Sequence, residues 1–485
     1  MTTVIPHWLT KQENLSPNEI AIELPDGTML TFQQLANNSR QKAKQLAALH
    51  VKKGDHIAIL SANCVDMAET IHACSYMEAV VVLLNTRLTA TECRQQIEDA
   101  NVTLVITEDT KQEKISDVQQ ISYAELNDLP AAKDIKLAEE IDLSNVFTMM
   151  FTSGTTGFPK AVQHTYGNHW WSATSSALNL GLHRDDKWLI PLPLFHVSGL
   201  STMLKSVIYG MPIYLMEKFD VHLIHDAIMN KKVTIASVVT VMLQRLLKYL
   251  GDERYPEAFR CMLLGGGPAP ESLLLETKEK LIPVFQSYGM TETASQIVTL
   301  SPRDALEKIG SAGKPLFPAQ LKISTNQPNE IGEILVKGPM VTPGYYRRKD
   351  ANEKSFNEGW LSTGDIGYLD EEGFLYVVDR RSDLIISGGE NIYPSEIENA
   401  LLQIKGIQEA GVTGWQHREW GEVPIAFIVA NQDIDITKEF VHTSLKERLA
   451  SYKLPKEYHF MDQLPRNAAN KLVRHELKRI RKEIK

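Results

Sequence analysis

Nine residues, Thr152-Ser153-Gly154-Thr155-Thr156-Gly157-Phe158-Pro159-Lys160, gather four hydroxyls, two glycines and one lysine behind an apolar run from Val146 to Phe151. Glycine lets backbone N–H groups come close to an anion, while hydroxyls and a lysine add donors and positive charge. The stretch therefore reads as a phosphate-handling loop. It is not a Walker A loop, because its glycines lie three apart and Ala161 follows Lys160. A Ser/Gly/Thr surface linker is the competing reading. The strand ahead of the loop and the lysine held behind Pro159 favour the anion.

Four later stretches carry chemistry of their own. At Leu263-Leu264-Gly265-Gly266-Gly267-Pro268 an apolar run ends in three glycines, a bare backbone surface that suits either a flat ring or a tight strand-to-helix turn. Ser287-Tyr288-Gly289-Met290-Thr291-Glu292-Thr293 supplies an aromatic face, hydroxyls and a carboxylate. Glu292 has the oxygen ligands that Mg²⁺ prefers; an ordinary helix start is the alternative. Asp365, in Ser362-Thr363-Gly364-Asp365, can accept both hydroxyls of a ribose, with Arg380 donating to the same sugar or its phosphate, although Thr-Gly-Asp by itself is more often a turn. Pro465 to Lys471 is a polar loop whose lysine, taken alone, is a solvated surface group.

These stretches need a scaffold, and the flanking periodicity describes one. A hairpin around Pro25-Asp26-Gly27 precedes a helical pattern from Thr31 to Leu49. Short apolar runs at 57–60, 80–84 and 103–106 then alternate with helical spacing at 65–77 and 90–100, an α/β layered pattern with a largely parallel sheet. The alternation resumes after the phosphate loop at 168–180, 188–190, 200–209 and 221–230, predicting a second α/β layer. From about residue 310 short strands and turns take over, a meander expected to form a small β-barrel. Beyond Arg380 a compact α+β domain is expected, with Ser395 and Glu398 as a capping box, so the boundary is placed between 1–380 and 381–485.

Taken together and in this order, the motifs resemble the acyl- and aryl-CoA synthetases of the adenylate-forming superfamily, over essentially the full length. The resemblance implies AMP transfer from ATP onto a carboxylate, release of pyrophosphate, and capture of the acyl-adenylate by the thiol of CoA. It implies that Thr152 to Lys160 hold the β- and γ-phosphates and that Gly265, Gly266, Gly267, Pro268 and Tyr288 frame adenine, within the Ser287-Tyr288-Gly289-Met290 stretch. Thr291 would touch the α-phosphate, Glu292 and Thr152 would place Mg²⁺, and Asp365 and Arg380 would bind ribose. Lys471 would be the catalytic cation between the acyl carboxylate and the α-phosphate. The mobile C-terminal domain would rotate at Arg381-Ser382-Asp383, with either Ser382 or Asp383 as the hinge residue, exchanging Lys471 for the loop Gly388-Gly389-Glu390.

The stretch Pro193-Leu194-Phe195-His196-Val197-Ser198-Gly199-Leu200 resembles the compact branch of these ligases that serves menaquinone biosynthesis, whose acid carries an aryl ring, a ketone and two carboxylates. His196 would gate the acyl pocket and contact the reacting carboxylate, against the plainer role of an aromatic core residue. Ser201, Thr202 and Lys205 lie just beyond this stretch and are candidate donors to the second carboxylate, although a lysine on a helix is more often solvated. A fatty-acid or simple aryl-acid ligase of the same family is the alternative. A luciferase-like oxidase and a carrier-coupled or noncatalytic adenylation module are the readings from other classes.

Composition sets the outer limits. With 485 residues more than one domain is expected, and a net charge of -9 gives no footprint for nucleic acid or an anionic membrane. No apolar run near the N-terminus approaches a membrane span, so a cytoplasmic enzyme is expected, with a homo-oligomer compatible. Cys64, Cys74, Cys93 and Cys261 lack metal spacing and read as reduced thiols. The basic stretch 474–485 reads as an amphipathic helix with a solvated face; a weaker reading lends the charges of Arg479 and Arg481 to CoA phosphates.

Overall fold

The structure is a computed structural model that describes residues 3–109, 114–153, 159–266, 269, 271–325, 329–379, 384–431, 436–465 and 472–484, without the side chains of Ser153, Asp379, Ser395 and His475. Its backbone contacts divide into two units. The first comprises 1–86, 97–150 and 161–378, and the second comprises 87–96, 151–160 and 379–485.

The first unit is built on two large sheets. One has seven strands in the spatial order 344–345, 159–165, 146–153, 80–83, 56–60, 104–107 and 119–122, with parallel pairing throughout its middle. The second continues from parallel strands at 188–190, 213–215, 235–239, 261–265 and 284–290 into antiparallel strands at 295–300 and 311–315. The meander strands 320–323, 332–337, 360–369 and 375–379 extend that same sheet.

Strand alternation explains why the second sheet is covered on both faces. Trp188, Ile190, Ile235, Cys261 and Leu263 enter one apolar core, while Leu189, Ala236, Val238, Met262 and Leu264 enter another. Successive strand side chains point to opposite faces, so such runs are apolar throughout rather than alternating. The helix Phe32–Ala48 begins where expected, with Thr31 and Gln34 forming a capping box.

The second unit contains a five-stranded sheet in which Gly421–Ala430 pairs with Ile407–His417, Ile385–Ser387 and Glu457–Phe460. Ala426 and Ile428 face a core that includes Ile397, Leu401 and Val441, while Ile425, Phe427 and Val429 face Leu477 of the helix Arg474–Ile484. The helix Pro394–Leu402 forms as predicted, but not through the expected capping box. Tyr393 is its N-cap without a side-chain bond, proline occupies its first turn, and Glu398 instead accepts from Val412 N at 2.8 Å and from Arg474. In the terminal helix, Arg481 is buried, paired with Glu457 at 2.6 Å and stacked 4.1 Å above Trp415. That overturns its reading as a solvated cation available to CoA. Lys453 bridges Glu92 and Glu396, 2.7 Å from each.

All four cysteines are free, and Cys64 caps the helix Val65–Tyr76 by accepting from Met67 N at 3.4 Å. Among the described residues no helix is long and apolar enough to cross a membrane.

Candidate active site

The strand Val284–Met290 delivers the predicted aromatic and acidic residues in one sweep. Tyr288 is buried, and its hydroxyl donates to Asp365 Oδ2 at 2.8 Å. Residues assigned separately to adenine and to ribose are thus already in contact. Asp365 is set by its own turn: Thr363 Oγ1 accepts from Asp365 N at 3.1 Å and donates to Ile334 O at 2.7 Å. Next to Tyr288, Ser287 Oγ donates to Leu264 O at 3.0 Å, joining this strand to the one that ends at Gly265.

The antiparallel register slips between Tyr288 and Gly289. A Cβ at Gly289 would stand 2.2 Å from Ser295 O, so only glycine allows this approach. The chain then makes a short 3-10 turn at Thr291–Thr293 and passes through Ala294 at φ 52°. Thr293 Oγ1 accepts from Met290 N at 2.9 Å, which holds the turn closed. Glu292 is therefore on a tight turn at a strand end rather than at the start of an α-helix. The residue is 5% exposed, and among the described residues its carboxylate accepts one hydrogen bond, from Tyr345 Oη at 2.9 Å.

Three buried side chains that sequence reasoning missed support this turn. His164 Nε2 lies 2.6 Å from Thr291 O, and because a carbonyl only accepts, Nε2 carries the proton. Thr148 Oγ1 is 2.9 Å from His169 Nε2 and 3.5 Å from His164 Nδ1. Burial holds His164 neutral, lowering its pKa to about 4, and drives that of His169 well below the ordinary range. The pairing signal was absent from the sequence, where the partners lie 16 to 127 positions apart.

The acid-pocket candidates sit at the start of the helix Val197–Tyr209. His196 is its N-cap residue, half-buried, with its ring 4.7 Å from Phe195. Gly199 is required by the packing, since a Cβ there would meet Pro193 O at 2.2 Å. Asn63, also missed, frames this loop. Its amide nitrogen donates to Leu192 O at 3.0 Å and Met216 O at 2.9 Å, while its Oδ1 accepts from Leu194 N at 2.7 Å.

Ser201 and Thr202 donate back to Ser198 O, at 3.3 and 3.0 Å, so their hydroxyl protons are used within the helix. Lys205 differs. It is 2% exposed, its ammonium lies 5.5 Å from the Trp188 ring, and no carboxylate of the described residues pairs with it. Burial pulls its pKa down from 10.5 to about 7.

Several predicted residues lie outside the described set: Gly154, Thr155, Thr156, Gly157, Gly267, Pro268, Arg380 with the hinge Arg381-Ser382-Asp383, and Lys471. Thr152 is half-buried at the end of the strand Val146–Ser153, and Lys160 is buried on the strand Pro159–Thr165. Thr152 and Glu292 belong to different units. Gly388 and Gly389 link the strands Ile385–Ser387 and Glu390–Ile392, with Gly388 N donating to Trp420 O at 2.8 Å.

Two sequence profiles match this chain: that of the AMP-binding enzyme over residues 9–346, and that of the AMP-binding enzyme C-terminal domain over residues 396–471. The chain belongs to the AMP-binding enzyme family. Among the members of that family to which it is similar is the 2-succinylbenzoate–CoA ligase of Oceanobacillus iheyensis, 63% identical over 480 residues that span 98% of this chain and 100% of the relative. The ligase of the same name from Bacillus subtilis strain 168 is 50% identical, with 99% of each chain covered. Solved structures of the Bacillus subtilis o-succinylbenzoate CoA synthetase are also similar. A double mutant bound to the product analogue OSB-NCoA has a TM-score of 0.95 at 50% identity, with 98% of each chain covered. The complex with ATP and magnesium ion has a TM-score of 0.77 at 49% identity, covering 98% of this chain and 100% of that one. The fold expected of an AMP-binding enzyme, a large N-terminal α/β part with a small C-terminal α+β part, is thus present.

Proposed function

We propose that this AMP-binding enzyme is a 2-succinylbenzoate–CoA ligase, converting ATP, 2-succinylbenzoate and CoA into succinylbenzoyl-CoA, AMP and diphosphate for menaquinone biosynthesis. Full-length identity to ligases of that name supports the activity. Lys205 carries the choice of acid. Buried charges are normally paired, and this lysine has an aromatic ring but no carboxylate beside it. An acid that keeps a second, unreacted carboxylate supplies the missing partner, whereas a fatty acid would leave the buried lysine head with only hydrocarbon beside it.

The remaining residues take roles around that anchor. His196, beside the Asn63-framed loop, contacts the reacting carboxylate through an imidazole N–H. Tyr288 and Gly265-Gly266 flank adenine, Asp365 and Arg380 hold the ribose, and Thr291 reaches the α-phosphate. Residues 152–160 hold the β- and γ-phosphates. Glu292 suits Mg²⁺, a hard cation that typically takes one or two protein carboxylates and fills its shell with phosphate and water oxygens. Among the described residues no cluster of three His, Cys, Asp or Glu offers a dedicated metal cage, in keeping with that pattern. When bound, the cation neutralises phosphate charge.

A carboxylate is a poor electrophile, so it attacks the α-phosphorus first and diphosphate departs. Lys471 stabilises the charge that builds between the two anions; preorganised cations of this kind contribute rate factors of roughly a hundred to a thousand. The C-terminal domain, 381–485, then turns about Arg381 to Asp383, replacing the lysine loop with Gly388-Gly389-Glu390 for thiol attack on the adenylate. The enzyme is cytoplasmic and acts on small molecules, with no nucleic-acid partner.

The test is pyrophosphate release from ATP and Mg²⁺ with 2-succinylbenzoate, benzoate and fatty acids, each with and without CoA. Turnover selective for 2-succinylbenzoate, ending in a CoA thioester, is the expected result. Preference for a monocarboxylate would move the substrate, and no release with any acid would overturn the catalytic reading.

A further inference from the structure

The segment 342–345 is fastened on several sides around Glu292. Thr342 N donates to Glu292 O at 2.8 Å, and Thr342 Oγ1 donates to Gln163 O. Gly344 and Tyr345 pair antiparallel with Gln163 and Val162, on the strand Pro159–Thr165. Asn352 then closes a ring on the tyrosine backbone, accepting from Tyr345 N at 2.8 Å and donating to Tyr345 O at 2.9 Å. What this fixed strand presents is one phenol, 3% exposed, donating to Glu292 Oε1 at 2.9 Å.

A carboxylate has two soft degrees of freedom, rotation about its own axis and swing of its stem. The backbone bond from Thr342 fixes the main chain from which the stem springs, and the phenol, holding Oε1, restrains the carboxylate itself. With Oε1 taken, Oε2 has no protein donor among the described residues. Partners of this kind orient ligands and are typically worth a factor of ten to a hundred in metal affinity.

We propose that Tyr345 is a positioning residue for the cation: its hydroxyl fixes the Glu292 carboxylate so that Oε2 is presented to Mg²⁺, in register with the strand that follows the phosphate loop. This rests on the reading of Glu292 as the cation's carboxylate. Tyr345→Phe removes only the hydroxyl, keeping the backbone pairing and the ring's contact with Phe356 at 6.2 Å. Binding of Mn²⁺ to the full-length protein with a non-hydrolysable ATP analogue, followed by electron paramagnetic resonance, reads the effect without turnover.

Tyr345→Phe should weaken Mn²⁺ binding by about 10- to 100-fold. Glu292→Gln should weaken it at least as much, and adding Tyr345→Phe to Glu292→Gln should change nothing further, because the hydroxyl acts through the carboxylate. Mn²⁺ affinity within about twofold of the parent in Tyr345→Phe, alongside a clear loss in Glu292→Gln, would overturn the positioning role alone. Additive losses in the double variant would do the same by showing a general structural effect. Unchanged affinity in Glu292→Gln would remove the cation reading itself, and the role of Tyr345 with it.

Discussion

Replacing Lys205 with methionine should make the protein more stable and its acid binding worse. Methionine matches the length and bulk of the lysine stem and carries no charge. In the folded chain the ammonium titrates at about 7 instead of 10.5, so the unfolded chain holds this proton more tightly. At about pH 7.5 roughly three units of that difference are expressed, which at ~1.36 kcal/mol per unit makes the buried lysine cost on the order of 4 kcal/mol. The cost is greatest below the folded value and fades as pH rises toward 10.5, where the unfolded chain also loses the proton. Lys205→Met should therefore raise stability by a few kcal/mol near pH 7.5 and by much less near pH 10.

The functional arm runs the other way. A charge-assisted hydrogen bond contributes about 1.5–3 kcal/mol, so KM for 2-succinylbenzoate should rise roughly 10- to 150-fold, with KM for ATP little changed. Urea unfolding of parent and variant at both pH values, beside steady-state kinetics, gives both arms. If Lys205→Met is no more stable near pH 7.5 and binds the acid as the parent does, the lysine is neither strained nor a recognition group, and the reasoning fails. A further sign is proton uptake: binding a carboxylate beside the ammonium raises its pKa, so calorimetry near pH 8 in buffers of different ionisation enthalpy should show close to one proton taken up by the parent and none by the variant.

Other outcomes follow from the same geometry. Lys471→Ala should nearly abolish adenylate formation yet spare thioester formation from supplied acyl-adenylate; equal loss of both half-reactions, measured separately, would remove its assigned role. Tyr288→Phe deletes the donor to Asp365 and should raise KM for ATP about 3- to 10-fold, in line with one hydrogen bond, while leaving KM for the acid near the parent value. His164 takes up a proton in the unfolded chain at 6.5 but in the folded chain only at about 4, so the stability tied to its neutral form is intact above pH 6.5 and declines as pH falls toward 4, by up to ~3 kcal/mol. A His164→Gln variant should show a shallower loss of stability across that window in acid titrations. Asn63→Ala leaves three buried backbone groups without their partner and should destabilise the protein by about 2–4 kcal/mol, which denaturant midpoints would register.

Much of the scaffold was legible because its strands and helices carry periodic apolar patterns. The helix Val221–Asn230 and the strand Trp188–Ile190 fall where the sequence places them. Legibility stopped where a contact depends on residues far apart in the chain. Thr31 and Gln34 form a cap that three-residue spacing reveals, but Ser395 and Glu398 have the same spacing and Glu398 is drawn instead to Val412 and Arg474. Arg481 looked like one of several solvated cations because nothing local marks Trp415 or Glu457 as its partners. The site shows the same split. Glycine, tyrosine and acid motifs could be located by type, whereas His164, Thr148, Asn63 and Tyr345 belong to no motif and gain their contacts only when tertiary packing brings a carbonyl, an imidazole or a carboxylate to them.

Asn63 also bears on how the acid preference of such an enzyme could be altered. Its amide meets a carbonyl and an N–H of the 192–194 loop and a second carbonyl, of Met216, from another segment. Aspartate lacks the donors and glutamine is one methylene too long, so the residue admits no ready substitute. Gly199, pressed against Pro193, is equally confined. The loop that would frame the proposed acid pocket is therefore rigid by composition, while the helix Val197–Tyr209 and its N-cap carry side chains at 196, 201, 202 and 205 that take no part in the Asn63 bonds. Directed evolution toward a new acid would gain most by holding positions 63 and 199 constant and spending its diversity on those four.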